Sequence, residues 1–141
     1  MTARVTLYAI AFVAGAIVLC HDTATHAADI PWKLDEKTAQ ALAALAAGDG
    51  ANPGDLDPDL PTNDPPFFVF DGISPPPAEG SFGFFAVNPW TGDVWALWGC
   101  RKLSTPALRK LQAEIRQRFT REELKQYAKL RNLKPECVVV E

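Results

Sequence analysis

Large apolar side chains crowd the stretch from residue 84 to residue 100, which reads FFAVNPWTGDVWALWGC. A strand with one solvated face alternates apolar and polar residues. Both halves of this stretch break that alternation, because apolar residues fall on both faces of each half. Between the halves, Pro89 supplies a fixed φ and Gly92 tolerates a positive φ. The pattern predicts a β-hairpin with strands at 81–88 and 93–100 and with two apolar faces.

Further elements flank this hairpin. FFVFD at 67–71 is typical of a short strand, and CVVVE at 137–141 is typical of a last strand. Two helices are predicted between the hairpin and the last strand. The first begins at Thr105, an N-cap that is followed by Pro106, and the second begins at Thr120, where Thr-Arg-Glu-Glu has the form of a capping box.

These elements predict an α+β domain over residues 67–141. Its small antiparallel sheet consists of the hairpin plus flanking strands, and it packs against the two C-terminal helices on one face. The other apolar face of the hairpin has two interpretations. Either the N-terminal helix, the Pro-rich turn and the C-terminal strand cover it, or part of it stays exposed as a partner site.

Residues 28–66 differ in composition from this domain. Asp35 is a good N-cap for a helix over EKTAQALAALAA, and Gly48 ends that helix. The apolar face of the helix is mostly alanine, which predicts weak docking. The following GDGANPGDLDPDLPTNDPP is acidic and rich in Gly and Pro, so we expect it to be flexible.

The acidic residues of that segment do not match a metal site. DLDPD at 55–59 has the form of the start of an EF-hand loop. The sixth position of that loop requires Gly and is Leu60, and the twelfth requires Glu and is Pro66. We therefore expect no metal, and we expect no other cofactor.

The first 27 residues have the layout of a secretory signal peptide. Arg4 precedes a sixteen-residue, mostly apolar run from Val5 to Cys20, and a small-residue site ends at Ala27. The run is short for a helix that spans a bilayer. We expect cleavage after Ala27 and a periplasmic or secreted mature protein. An uncleaved N-terminal anchor and lipidation at Cys20 are the alternatives.

Removal of the signal peptide changes which reactive side chains the protein contains. The mature chain would keep Cys100 and Cys137 and would lose both histidines. In an oxidising compartment these two cysteines are expected to form a disulfide. A chain without histidine is excluded from Ser-His-Asp and Cys-His catalysis and from a zinc site built on imidazole.

Charge is divided between two parts of the chain. Residues 28–98 hold eleven acidic and two basic residues, whereas residues 99–141 hold five acidic and eleven basic residues. The net charge of −3 and the lack of a binding motif argue against nucleic acid as a partner. We expect the two parts to attract each other. Contact between the basic helices and an anionic membrane surface is the alternative.

The hairpin turn carries the strongest indication of a partner site. Turns favour small polar residues, whereas an exposed tryptophan is a typical anchor of an interface. We therefore expect an exported cell-envelope binding protein without enzymatic activity, such as an inhibitor, an immunity-type protein or an accessory protein, that contacts an envelope protein partner. The expected contact residues are those of the hairpin tip: Asn88, Pro89, Trp90, Thr91 and Asp93.

The sequence leaves two other functions open. One is a carboxylate-using glycan or peptidoglycan hydrolase that employs Asp71, Glu79 or Asp93. These acids lie in predicted turns, and nothing in the sequence indicates the burial that shifts a pKa. The other is a membrane-surface or structural protein that uses the basic helices.

Cleavage of the signal peptide has a direct test. The exported protein is expected to begin at Ala28, and the intact mass of the purified protein measures this. A mass that retains Met1 would contradict the prediction, as would a mass increased by a lipid on Cys20.

Overall fold

The computed structural model of the chain describes residues 30–48, 50–59, 62–63 and 65–137. The predicted signal peptide and residues 138–141 of the predicted last strand lie outside these residues. Within them, the helices are α1 (Glu36–Ala47), α2 (Pro106–Arg116) and α3 (Tyr127–Arg131). The strands are β1 (Leu56–Pro58), β2 (Thr62–Asn63), β3 (Pro66–Ile73), β4 (Ser81–Val87), β5 (Val94–Ala96) and β6 (Arg101–Leu103).

The strands form an antiparallel sheet in the order β1-β3-β4-β5-β6, and β2 also pairs with β3. Phe85 at its centre lies opposite Phe70 on one side and Ala96 on the other. Two of the helices lie in the C-terminal half, and a disulfide joins Cys100 to Cys137. The predicted α+β fold with one disulfide is therefore confirmed.

Each face of the sheet has its own apolar cluster, which explains why the hairpin is apolar on both sides. On the helical face, sheet residues pack with all three helices: Phe70, Phe85, Val87 and Val94 with Leu42, Leu108, Ile115 and Leu130. The cluster on the opposite face contains Phe67, Val69, Ala86, Trp95 and Leu97, with the partly buried Phe84 and Leu133 beside it. Most of the second face is therefore buried, as the first interpretation requires, but α1 packs on the helical face and does not cover it.

Helix α1 begins and ends as predicted, with Asp35 as its N-cap and Gly48 as its C-cap. The expectation of weak docking is wrong. Ala39 and Ala43 are fully buried, because small side chains let the helix approach the sheet closely. Gln40 Nε2 also donates a hydrogen bond of 2.6 Å to the carbonyl of Leu56 in β1.

After α1, the described part of residues 28–66 contains regular structure that the sequence did not predict. A 3₁₀ turn at Pro53–Asp55 leads into β1, where Leu56 pairs with Gly72 and is fully buried. One deeply buried leucine and a pairing with β3 give this acidic segment a fixed place. As a result, α1 and β1 belong to the same core as the elements after residue 67.

The second strand of the predicted hairpin is shorter than expected. It ends at Ala96 rather than at Cys100, and the chain turns back into β6, which the sequence did not predict. The turn requires positive φ angles of 77° at Gly99 and 50° at Cys100. Gly99 supplies this conformation without steric cost. The turn that it allows ends the strand before Cys100.

The C-terminal helices follow their predicted start signals only in part. Thr105 caps α2 through a hydrogen bond of 3.1 Å from the Leu108 amide. The capping box at Thr120 also forms, since the amide of Thr120 donates to Glu123 and the amide of Glu123 donates to the Thr120 hydroxyl. The chain then makes a 3₁₀ turn at Glu123–Lys125, so α3 starts later than predicted.

Ion pairs between the two oppositely charged parts of the chain differ from the expected arrangement. Lys33, from the acidic part, binds Glu123, from the basic part, at 2.7 Å. This lysine also holds the pKa of Glu123 below its ordinary value. Asp93, from the acidic part, pairs with the basic part through Lys102 at 2.8 Å and Arg131 at 3.7 Å.

Two glycines provide a matched test of the packing at the hairpin turn. Gly92 and Gly99 have similar φ angles of 71° and 77°, so an alanine is strained in the backbone at both. A Cβ at Gly92 would lie 2.6 Å from Cδ1 of Ile115, whereas no described atom lies within 4 Å of a Cβ at Gly99. We expect Gly92→Ala to lower the free energy of unfolding by about 1–3 kcal/mol more than Gly99→Ala. Urea unfolding measures both, and equal losses would contradict the packing of this turn.

Candidate functional site

The hairpin tip, where the sequence predicted a partner contact, is internal. Trp90 is 1% exposed, and its indole packs in the cluster on the helical face. The prediction that these side chains form an exposed contact site is therefore wrong. All five predicted contact residues are buried: Asn88, Pro89, Trp90, Thr91 and Asp93.

Hydrogen bonds explain how such a polar turn is accommodated inside the protein. Asn88 Oδ1 accepts from the amides of Trp90 at 3.0 Å and Thr91 at 3.1 Å, and its Nδ2 donates to the carbonyl of Leu130 at 2.8 Å. An Asn side chain that bonds the backbone just after it is a common turn device. The third bond ties this turn to α3.

The segment before α1 covers the tip from the other side. Trp90 Nε1 donates to the carbonyl of Ile30 at 2.7 Å. The carbonyl of Pro89 accepts from the amides of Lys33 and Leu34 at 3.0 and 3.1 Å. Turn preferences could not reveal this burial, because the groups that cover the tip come from residues far away in the sequence.

Asp93 completes the internal turn. Its carboxylate accepts a hydrogen bond of 2.9 Å from the Thr91 hydroxyl and forms the ion pair with Lys102. Its side chain is only 3% exposed. A buried carboxylate with these partners stabilises the turn, since removing a partner would leave an uncompensated charge.

The three acidic residues considered for a hydrolase, Asp71, Glu79 and Asp93, do not form one cluster. Asp71 lies opposite Phe84 in β4 and accepts a hydrogen bond of 2.6 Å from Ser81, and Glu79 is exposed in the following turn. Asp93 bonds to Asn88, four residues along from Phe84. At about 3.3 Å per strand residue this offset alone is roughly 13 Å, and β4 also separates Asp71 from Asp93 laterally, whereas paired glycosidase carboxylates are about 5–10 Å apart.

The accessible aromatic residues of the hairpin lie at its other end. Phe82, Phe84, Trp98 and Arg101 line a groove of about 270 Å³, which we call the aromatic groove. Trp98 is 43% exposed and Phe82 is 37% exposed. The hairpin therefore offers aromatic side chains to a partner, but at the end opposite to the one that the sequence indicated.

Local backbone features hold the rings of the aromatic groove. Phe84 and Trp98 meet edge to face, with ring centroids 5.9 Å apart. Phe82 lies at an irregularity in the pairing of β3 and β4, between Ser81, which pairs with Ile73, and Gly83, which pairs with Gly72. Its ring lies against Gly72, where a Cβ would collide with it, and its centroid is 6.1 Å from that of Phe85.

Charge at the aromatic groove is positive. Arg101 begins β6 and is exposed at one side of the groove. Within the described part of the chain, no carboxylate lies within 4.0 Å of its guanidinium. The groove therefore combines apolar rings with one cation that is available for an acidic group.

Two tryptophans of the hairpin now have opposite expected roles. Trp90→Ala should lower the free energy of unfolding by about 3–5 kcal/mol, because it empties a large volume in the core. Trp98→Ala should cost no more than about 1 kcal/mol, because that side chain is nearly half exposed. Chemical denaturation of both variants measures the difference. Similar losses in the two would contradict the burial of the tip.

Comparison with known proteins gives no relative. No protein-family model, curated protein or solved structure matches the chain. None of the described helices is long and apolar enough to cross a membrane. The described residues also contain no group of three or more His, Cys, Asp or Glu side chains that could hold a metal ion. Function is therefore inferred from the accessible side chains alone.

Proposed function

We propose that the protein is an exported cell-envelope binding protein without enzymatic activity, which contacts a protein partner through the aromatic groove. Inhibitors, immunity-type proteins and accessory proteins are the classes that fit this role. The observation that carries the proposal is the exposure of Trp98 and Phe82 beside a groove at one end of the hairpin.

Aromatic rings in this arrangement suit an interface anchor. Tryptophan and phenylalanine bury large areas on binding, and tryptophan is enriched among the residues that dominate binding energy. Contact with Phe84 limits the motion of the Trp98 ring before any partner arrives. A side chain that is already ordered loses less entropy on binding, which favours affinity.

The disulfide supports both the location and the site. Disulfides persist in oxidising compartments, in agreement with the predicted signal peptide. Cys100, which it joins to Cys137, follows Trp98 by two residues and ends the turn that presents this ring. Covalent attachment of that turn to the C-terminal segment restricts the movement of the aromatic groove.

The chemistry of the groove defines the partner segment. Apolar side chains of the partner would fill the space between Phe82, Phe84 and Trp98. An acidic residue next to them would pair with Arg101, whose planar guanidinium suits a carboxylate. We therefore expect the groove to take an apolar segment of an envelope protein that carries one carboxylate.

Partner binding is tested with two tryptophan variants. Trp32 is a matched control for Trp98, because it is also about half exposed, at 49%, and also meets a phenylalanine edge to face, at 5.1 Å. Immobilised mature protein should retain a partner from envelope extract, to be identified by mass spectrometry. Trp98→Ala should lower the affinity for that partner about thirtyfold or more, whereas Trp32→Ala should leave this affinity unchanged.

Circular dichroism confirms that both variants are folded before binding is measured. If Trp98→Ala binds as tightly as Trp32→Ala and wild type, the aromatic groove is not the contact surface. If both variants lose the partner to the same degree, exposed aromatic area in general, rather than this groove, is responsible.

A further inference from the structure

A second accessible site lies beside the C-terminal helices and shares no lining residue with the aromatic groove. A cleft of about 220 Å³ is enclosed by α2, by α3 and by the residue just before β5. We call it the arginine cleft. Its polar lining consists of Asp93, Arg109, Gln112, Arg116, Tyr127 and Arg131.

The arginine cleft has a surplus of positive charge. Its one carboxylate, Asp93, is already engaged by Lys102 at 2.8 Å and by the Thr91 hydroxyl at 2.9 Å. Across the residues that the structure describes, neither Arg109 nor Arg116 has a carboxylate within 4.0 Å. Like charges in a small cleft repel each other, and a bound anion relieves that repulsion.

The arginines are held in place by contacts that leave donors available. The Arg116 guanidinium lies over the Tyr127 ring, 5.2 Å from its centroid. Arg109 Nη1 donates to Ser104 at 3.2 Å, and Arg131 Nε lies 3.7 Å from the Asp93 carboxylate. Because a guanidinium has five N–H donors, each of these side chains keeps donors for a ligand.

Tyr127 contributes a further donor. Its ring is fixed edge to face against Phe119, with centroids 5.1 Å apart. Burial, together with the charge of Asp93, raises the pKa of the Tyr127 phenol above its ordinary value of 10.0. The hydroxyl therefore stays protonated at neutral pH and is able to donate to an anion.

We infer that the arginine cleft is a binding site for a phosphate group, with Arg109, Arg116 and Arg131 as its guanidinium donors. A phosphate is preferred to a single carboxylate because it carries more charge and more acceptor oxygens for three surrounding guanidiniums. The phosphate belongs either to a soluble compound or to a lipid headgroup. This inference does not depend on the aromatic groove.

Titration of the mature, disulfide-bonded protein with inorganic phosphate at constant ionic strength, followed by NMR or calorimetry, tests the site. Arg116→Gln should weaken phosphate binding about tenfold or more, because a charge-assisted donor is lost. Arg121→Gln is the matched control, since Arg121 is exposed and does not line the arginine cleft, and it should bind like wild type.

Three results would overturn the inference. The first is phosphate binding that does not saturate by about 10 mM phosphate. The second is an equal loss of phosphate affinity in Arg116→Gln and Arg121→Gln. The third is wild-type phosphate affinity in Arg116→Gln. Trp98→Ala is expected to bind phosphate like wild type, so failure of this site and failure of the aromatic groove are distinguishable.

Vesicles identify the source of the phosphate. Sedimentation with phosphatidylcholine vesicles, with and without phosphatidic acid, measures lipid binding. Binding only to phosphatidic acid vesicles, lost in Arg116→Gln and reversed by free phosphate, indicates a lipid headgroup. Binding of free phosphate without vesicle binding indicates a soluble compound. Vesicle binding that Arg116→Gln leaves intact would contradict a role of the arginine cleft at membranes.

Discussion

Burial of the turn between β4 and β5 is the constraint on which the rest of the structure depends. A hairpin tip is ordinarily solvated, and a polar group taken out of water must find a partner. Here Asn88 bonds to the turn itself and to α3, and Trp90 bonds to the segment before α1. Asp93 forms an ion pair with Lys102 of β6. Elements from both ends of the chain are therefore needed to enclose one six-residue loop.

This constraint also decides which end of the hairpin is accessible. Helices cover the tip, so the open end, with Phe82 and Trp98, is left at the surface. The same helices form the arginine cleft, whose floor includes the buried Asp93 of the turn. Both proposed binding sites thus follow from the way in which the chain is packed around the tip, and they lie at different ends of the hairpin.

Local signals in the sequence predicted the elements that depend on local physics. The Asp35 and Thr105 caps, the box at Thr120 and the Cys100–Cys137 disulfide all form as predicted. These features need only neighbouring residues or, for the disulfide, a pairing without competitors in the predicted mature chain.

Long-range packing accounts for what the sequence did not predict. Strand β1 lies in a segment whose composition suggested disorder, and one buried side chain, Leu56, together with pairing to β3, fixes it. Turn preferences predict an exposed Trp90, because they carry no information about the segments that cover a turn. Trp98 has a local cause instead, since the positive φ angles at Gly99 and Cys100 place it in the turn before β6 rather than in a continuous strand.

Native-state hydrogen exchange of the turn amides tests the buried tip most directly. The amides of Trp90, Thr91 and Gly92 all donate to Asn88 inside the protein. They are expected to exchange only through global unfolding, with the same opening free energy as the central strand amides of β4. Ser74, whose amide bonds across the exposed turn to Gly80, should exchange faster through local opening. If the three tip amides exchange as fast as Ser74, the tip is not the internal point around which this fold is packed.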